Sequence, residues 1–198
     1  MYTRTRLEQV MLRPLSSPLE LCRTLGLSPT GLQTELLADS AGLTRYCDWE
    51  MDRQGEILRT AAMLVLWRVL SREGSRALVL APGTIRDYPS GLRTATCGPL
   101  GRDFMDWLGR ACTFQDPGLS SITHRTTWNR IQFGGVAGWE VRMMPIVPGI
   151  LAEEALSADT GLVIGAGSSD TDFLEAQKAL EGGLRLDDVS TRLLLRLW

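Results

Sequence analysis

Residues 57 to 81 carry the pattern that most limits the fold. Ile57 to Leu70 reads ILRTAAMLVLWRVL, apolar on almost every side of a helix. Such a helix has no wide face to give to solvent, so it packs on a sheet on one side and on other elements on the other. Ser71 to Ser75 ends it, with Gly74 near the C-terminal cap. Arg76 to Ala81 (RALVLA) follows at once. A short, nearly unbroken apolar run of this kind fits a strand buried on both faces of a parallel sheet.

The remaining segments extend this into an α/β pattern. Ser17-Pro18 opens a helix through Leu19, Leu21, Cys22 and Leu25 that stops at Gly26. Pro29 opens a second, with Leu32, Leu36 and Leu37 on one face and Gln33 and Glu35 off it. Gly42 to Trp49 reads as a strand and Glu50 to Glu56 as a loop. Residues 84 to 98, rich in Gly, Pro and Thr, also read as a loop. Leu100 to Cys112 has helical spacing, with Phe104, Met105, Leu108 and Cys112 on one face. Ser121 to Phe133 is strand-like, Gly134-Gly135 marks a turn, and Trp139 to Val147 reads as the partner strand of a hairpin. Gly161 to Ala166 is another short strand, Asp170 to Leu180 an amphipathic helix, and Leu193 to Leu197 a last strand. Strands alternating with helices predict a mainly parallel sheet flanked by helices. The expected organisation is a helical lead-in over residues 1–41 and an α/β unit with a central β-hairpin over residues 42–198.

Composition removes several chemistries. The chain has 198 residues and a net charge of −2, which does not indicate a strongly basic nucleic-acid binder, so DNA binding is not indicated by charge. Of its 21 basic residues only Lys178 is a lysine, so lysine chemistry is confined to that position. The arginine excess is read as the mark of a GC-rich genome. Cys22, Cys47, Cys97 and Cys112 form no C-x-x-C pair and His124 stands alone, so no metal site and no catalytic triad are expected. The cysteines read as small buried hydrophobes in a reducing cytoplasm. His124 reads as a surface or edge residue. No apolar run reaches the ~18 residues of a membrane span, and Met1 to Arg13 lacks the apolar core of a secretory signal. Trp198 is either a core residue or, if exposed, an interface anchor.

Five segments, in order, resemble the N-terminal ATPase domain of the tailed-phage terminase large subunit. SPLELCRTLGLSPTGLQTELL is similar to that family's helical lead-in, and Gln33 matches its adenine-contacting glutamine; read on its own, Gln33 is equally a surface residue of an amphipathic helix. Arg53, Gln54, Gly55, Glu56, Ile57 and Leu58 stand where the family has its phosphate loop, R-Q-x-G-K-T. Ala62, Leu64, Leu66 and Trp67 match the downstream A-x-L-x-L-W and fix the register. SRALVLAP resembles the following strand, and TTWNRIQFGGVAGWEVRMMPI the hairpin. GLVIGAGSS stands where the family has L-V-I-D-E-A-S-S, and RLLLRLW where it has its coupling strand. The resemblance implies a P-loop NTPase-like α/β fold.

It also implies lost chemistry. A phosphate loop needs a Lys for the β- and γ-phosphates and a Ser or Thr hydroxyl for Mg²⁺. Those positions are Ile57 and Leu58, and the glycine before them is Glu56, a negative charge beside polyphosphate. The family's acidic pair, which holds Mg²⁺ and orients the attacking water, is replaced by Gly165 and Ala166. Asp170 and Asp172 open the next helix, where acids are common. The expectation is a pseudo-ATPase with no catalytic residue, no metal and no bound ATP or Mg²⁺. Gln33, Arg53 and Gln54 would be vestiges of a nucleotide site, and the old phosphate pocket would be filled by apolar side chains. A chain complete at Trp198 would also lack the family's nuclease domain.

The implied function is a phage or prophage DNA-packaging interaction protein in the bacterial cytoplasm, binding a large terminase, a portal or a small terminase. The alternatives are a non-hydrolysing nucleotide- or DNA-binding module and a vestigial prophage protein. An enzyme of different chemistry would need a nucleophile or metal cluster that the sequence does not offer.

Overall fold

The computed structural model describes residues 16–38, 45–49, 54–72, 74–91, 93–114, 123–134, 139–146, 158–164, 178 and 192–197. The lead-in forms two short helices. α1 (Pro18–Leu25) begins where the Ser17 side chain accepts from the Glu20 N–H at 3.2 Å, and it ends at Gly26, whose φ of 69° is left-handed. α2 (Gly31–Ala38) begins with a reciprocal cap. The Thr30 hydroxyl accepts from the Gln33 N–H at 3.3 Å, and Gln33 Oε1 accepts from the Thr30 N–H at 3.0 Å.

The strands are β1 (Arg45–Trp49), β2 (Arg76–Ala81), β3 (Gly83–Asp87), β4 (Arg93–Cys97), β5 (Thr123–Thr127), β6 (Arg130–Phe133), β7 (Glu140–Pro145), β8 (Thr160–Ile164) and β9 (Arg192–Leu197). Seven build one sheet in the order β1-β9-β8-β2-β7-β6-β5, and β3 pairs with β4 in a separate ribbon. The first five run parallel, and β6 and β5 add antiparallel beyond β7. The carboxyl ends of the parallel strands therefore share one edge. β9 lies between β1 and β8, and Leu195 aligns with Cys47 on one side and Ile164 on the other.

Two longer helices, α3 (Gln54–Ser71) and α4 (Pro99–Phe114), cover one face. From Ile57 to Leu70 only Arg59 is exposed and Arg68 partly so, as the all-round apolar pattern requires. These residues join Leu21, Cys22 and Leu37 of the lead-in, Phe104 and Leu108 of α4, and Val79, Val141 and Leu162 of the sheet in one core cluster. Leu78, Leu80 and Val163, pointing to the opposite face, are buried as well. Both faces of β2 and β8 are thus shielded, the usual state of central parallel strands.

Val69 is among the last residues of α3, whose carbonyls have no partner within the helix. Its oxygen accepts instead from the indole Nε1 of buried Trp139 at 2.8 Å. Trp139 also makes a tilted ring contact with Phe133 at 5.9 Å.

Three expectations are corrected. Residues 84–98 are not a plain loop. They hold most of the β3–β4 ribbon, whose Thr84 and Thr96 hydroxyls meet across the pair at 3.0 Å. Ser121 to Phe133 contains two strands, β5 and β6, joined by a turn at Trp128-Asn129, and it is β6 that pairs with β7. Finally, Gln54, Gly55 and Glu56 lie inside α3 and not in the loop before it. The helix expected over Asp170 to Leu180 lies outside the described residues except for Lys178, which is helical and exposed. Among the described residues no helix is long and apolar enough to cross a membrane.

Candidate functional site

In open α/β sheets the ligand crevice lies beyond the carboxyl ends of the parallel strands. Here β1 delivers the chain to that edge, and α3 starts a few residues later. Ile57 and Leu58 do not line an open loop. They are 1% and 6% exposed and belong to the core cluster.

Glu56 is partly buried and held from outside its own helix. Its carboxylate Oε1 accepts a hydrogen bond from the Thr30 hydroxyl. Its backbone carbonyl accepts from Gln33 Nε2 at 3.1 Å and from the Thr60 hydroxyl at 2.9 Å. A carboxylate in the first turn of a helix also meets the positive end of the helix dipole, worth roughly 0.3–1 kcal/mol.

Gln33 is not a surface residue. It is 4% exposed, its Nε2 is committed to Glu56 and its Oε1 to Thr30. The structure brings Gln33 and Glu56 together and ties them to each other. Arg53, the Gln54 side chain, Gly165 and Ala166 lie outside the described residues, as do Asp170, Asp172 and Trp198. The last described residue before Gly165 and Ala166, Ile164, ends β8 at the same edge as the end of β1. The sequence reading missed Thr30. Its signal was the T-x-x-Q spacing of a capping box at Thr30 and Gln33.

The described cysteines behave as packing residues. Cys22, Cys97 and Cys112 are buried and free. Burial pushes the Cys112 thiol up to about 12 and the Cys22 and Cys97 thiols up to about 11. Cys22 Sγ lies 3.6 Å from Met63 Sδ. His124 falls in β5, the outermost strand, where the register shifts between Thr123 and Arg125.

A second polar cluster sits at the opposite, amino edge. Glu140, 2% exposed at the start of β7, accepts from Arg130 Nε at 2.5 Å and is also paired with Arg130 Nη2. Arg76 Nε approaches its other oxygen at 3.4 Å. The cluster fastens the antiparallel hairpin to the parallel strands and faces away from the crevice edge. Separately, the Arg68 guanidinium lies 5.0 Å from the Trp67 ring centroid, and burial holds it below its usual range.

Neither a protein-family model nor a curated protein matches the sequence. Among solved structures, the chain is similar to the large terminase ATPase domain of the Thermus phage P74-26, in a point variant. The TM-score is 0.59 at 14% identity, over 93% of this chain and 70% of that one. Sheet order, flanking helices and this likeness together define the fold class as a P-loop NTPase-like α/β fold. Within that class, the fold is similar to that of this terminase ATPase domain.

Proposed function

We propose that this chain is a terminase-ATPase-like protein that does not hydrolyse ATP and that serves phage DNA packaging by binding another packaging component. The observation that carries the reading is the apolar burial of Ile57 and Leu58 in the first turns of α3. These are the positions where the resembled family places its Lys and its Ser or Thr. An isoleucine brings no cation to the β- and γ-phosphates, and a leucine brings no hydroxyl to Mg²⁺. Removing one group that stabilises transition-state charge commonly costs about 10²-fold or more in rate. With the acidic pair replaced by Gly165 and Ala166, four such groups are gone. The Gln33 amide, already bonded to Glu56 and Thr30, supports the same reading for adenine.

The likeness of fold to a terminase ATPase domain supports the packaging context. A domain that keeps the fold without the chemistry acts through what its own surface binds. The expected partners are a large terminase, a portal or a small terminase, in the cytoplasm of a bacterial host. The test is to express the tagged chain with the packaging proteins of a phage from the same source and identify what co-purifies. Near-stoichiometric terminase or portal is the expected result. Nothing above background would overturn the partner reading.

A further inference from the structure

We propose that Thr30, Gln33 and Glu56 form a latch that holds the helical lead-in closed on the first turn of α3, at the crevice edge of the sheet. The inference goes beyond the proposed function and does not depend on it. It rests on how completely a few groups are used. The Thr30 hydroxyl accepts from the Gln33 N–H and donates to the Glu56 carboxylate. Gln33 spends one end of its amide on the Thr30 N–H and the other on the Glu56 carbonyl. Glu56 therefore receives two hydrogen bonds from the start of α2, one on its side chain and one on its backbone.

These contacts join segments 23 and 26 residues apart in sequence. The apolar underside of the lead-in, Leu21, Cys22 and Leu37, packs into the common core but is non-directional. It would tolerate small sliding of α2 along α3. Directional bonds to Glu56 remove that freedom and fix the start of one helix against the start of the other. Any ligand or partner that lifts the lead-in must break both of them, and any that moves the first turn of α3 must carry α2 with it. A buried Gln amide left without partners is costly, so the latch opens cooperatively and not bond by bond.

The test uses the full chain with Glu56→Ala, Thr30→Val and the double variant, read by hydrogen exchange and thermal melting. Glu56→Ala is expected to lower the melting temperature by about 2–4 °C and to speed amide exchange across residues 31–38 about fivefold. Thr30→Val, which also removes the hydroxyl that caps α2, should cost at least as much, and the double variant should lose less than the sum of the two singles, because both break the same Thr30–Glu56 bond. Glu56→Gln keeps an oxygen acceptor and should retain most of the protection. Unchanged exchange over residues 31–38 in Glu56→Ala, or additive losses in the double variant, would overturn the latch. Neither readout involves nucleotide or partner, so failure here is distinct from failure of the proposed function.

Discussion

Replacing Ile57 by alanine tests directly whether the position proposed to match a phosphate-loop lysine is core. Ile57 is 1% exposed and sits in the main cluster. The change deletes three carbons, and at about 0.8 kcal/mol per buried methylene the transfer loss alone is roughly 2.4 kcal/mol. A cavity term adds to this wherever the surroundings cannot collapse, which places the whole cost at about 2–5 kcal/mol. The helix that carries Ile57 packs against the lead-in, α4 and the sheet within one core cluster, so little collapse is expected. Urea unfolding should show a lower midpoint with an unchanged slope, since the surface exposed on unfolding is nearly the same. A residue lining an empty, solvated loop would give a different result. Removing an apolar side chain there would cost under about 0.5 kcal/mol, as for ordinary surface sites. A loss that small would refute the packing argument.

Other perturbations reach other parts of the structure. Trp139→Phe removes the donor to Val69 and leaves a buried helix-end carbonyl unpaired, so stability measured by urea unfolding should drop by about 1–3 kcal/mol. Gly83→Ala would place a Cβ 2.3 Å from the Thr96 carbonyl oxygen and 2.7 Å from Pro145 Cβ. The backbone of the β3–β4 ribbon must move to admit it, and a loss of about 1–3 kcal/mol is expected in the same assay. Burial raises the Cys22, Cys97 and Cys112 thiols from 9.0 to about 11, 11 and 12, so on raising the pH the unfolded chain releases these protons first. The stability they contribute is present below pH 9.0 and is lost as pH climbs towards 11 to 12, which unfolding midpoints along an alkaline series would show.

What the sequence discloses depends on whether a signal is local. α3 and β2 are legible because an all-round apolar helix and an unbroken apolar strand allow few environments. The β3–β4 ribbon is not, because Gly, Pro and Thr dominate it and its pairing leans on β7 through the close approach of Gly83 to Pro145. The turn between β5 and β6 is hidden because Trp128-Asn129 carries no glycine. The start of α3 is misplaced by three residues because Gly55 and the charges around it look like loop, whereas Thr30 and Gln33 hold Glu56 in the helix. At the candidate site, the proposed replacements are read from the sequence by register alone. The half of Gln33's bonding that caps α2 is also local and readable as T-x-x-Q. Its bond to Glu56 is tertiary, and only the folded chain supplies it. The Glu140 cluster is of the same kind, since sheet register alone brings Arg76 and Arg130 to one carboxylate.

Isothermal titration of the full chain with Mg-ATP tests most directly the proposal that no nucleotide binds. On the proposed reading, an Ile and a Leu in the core, a carboxylate beside them and a Gln already bonded disfavour a bound triphosphate. The expected result is no binding heat up to millimolar nucleotide, a Kd weaker than the ~1 mM that corresponds to about −4.1 kcal/mol. Saturable binding at micromolar nucleotide would contradict it, and would mean that the carboxyl edge still holds a working nucleotide pocket.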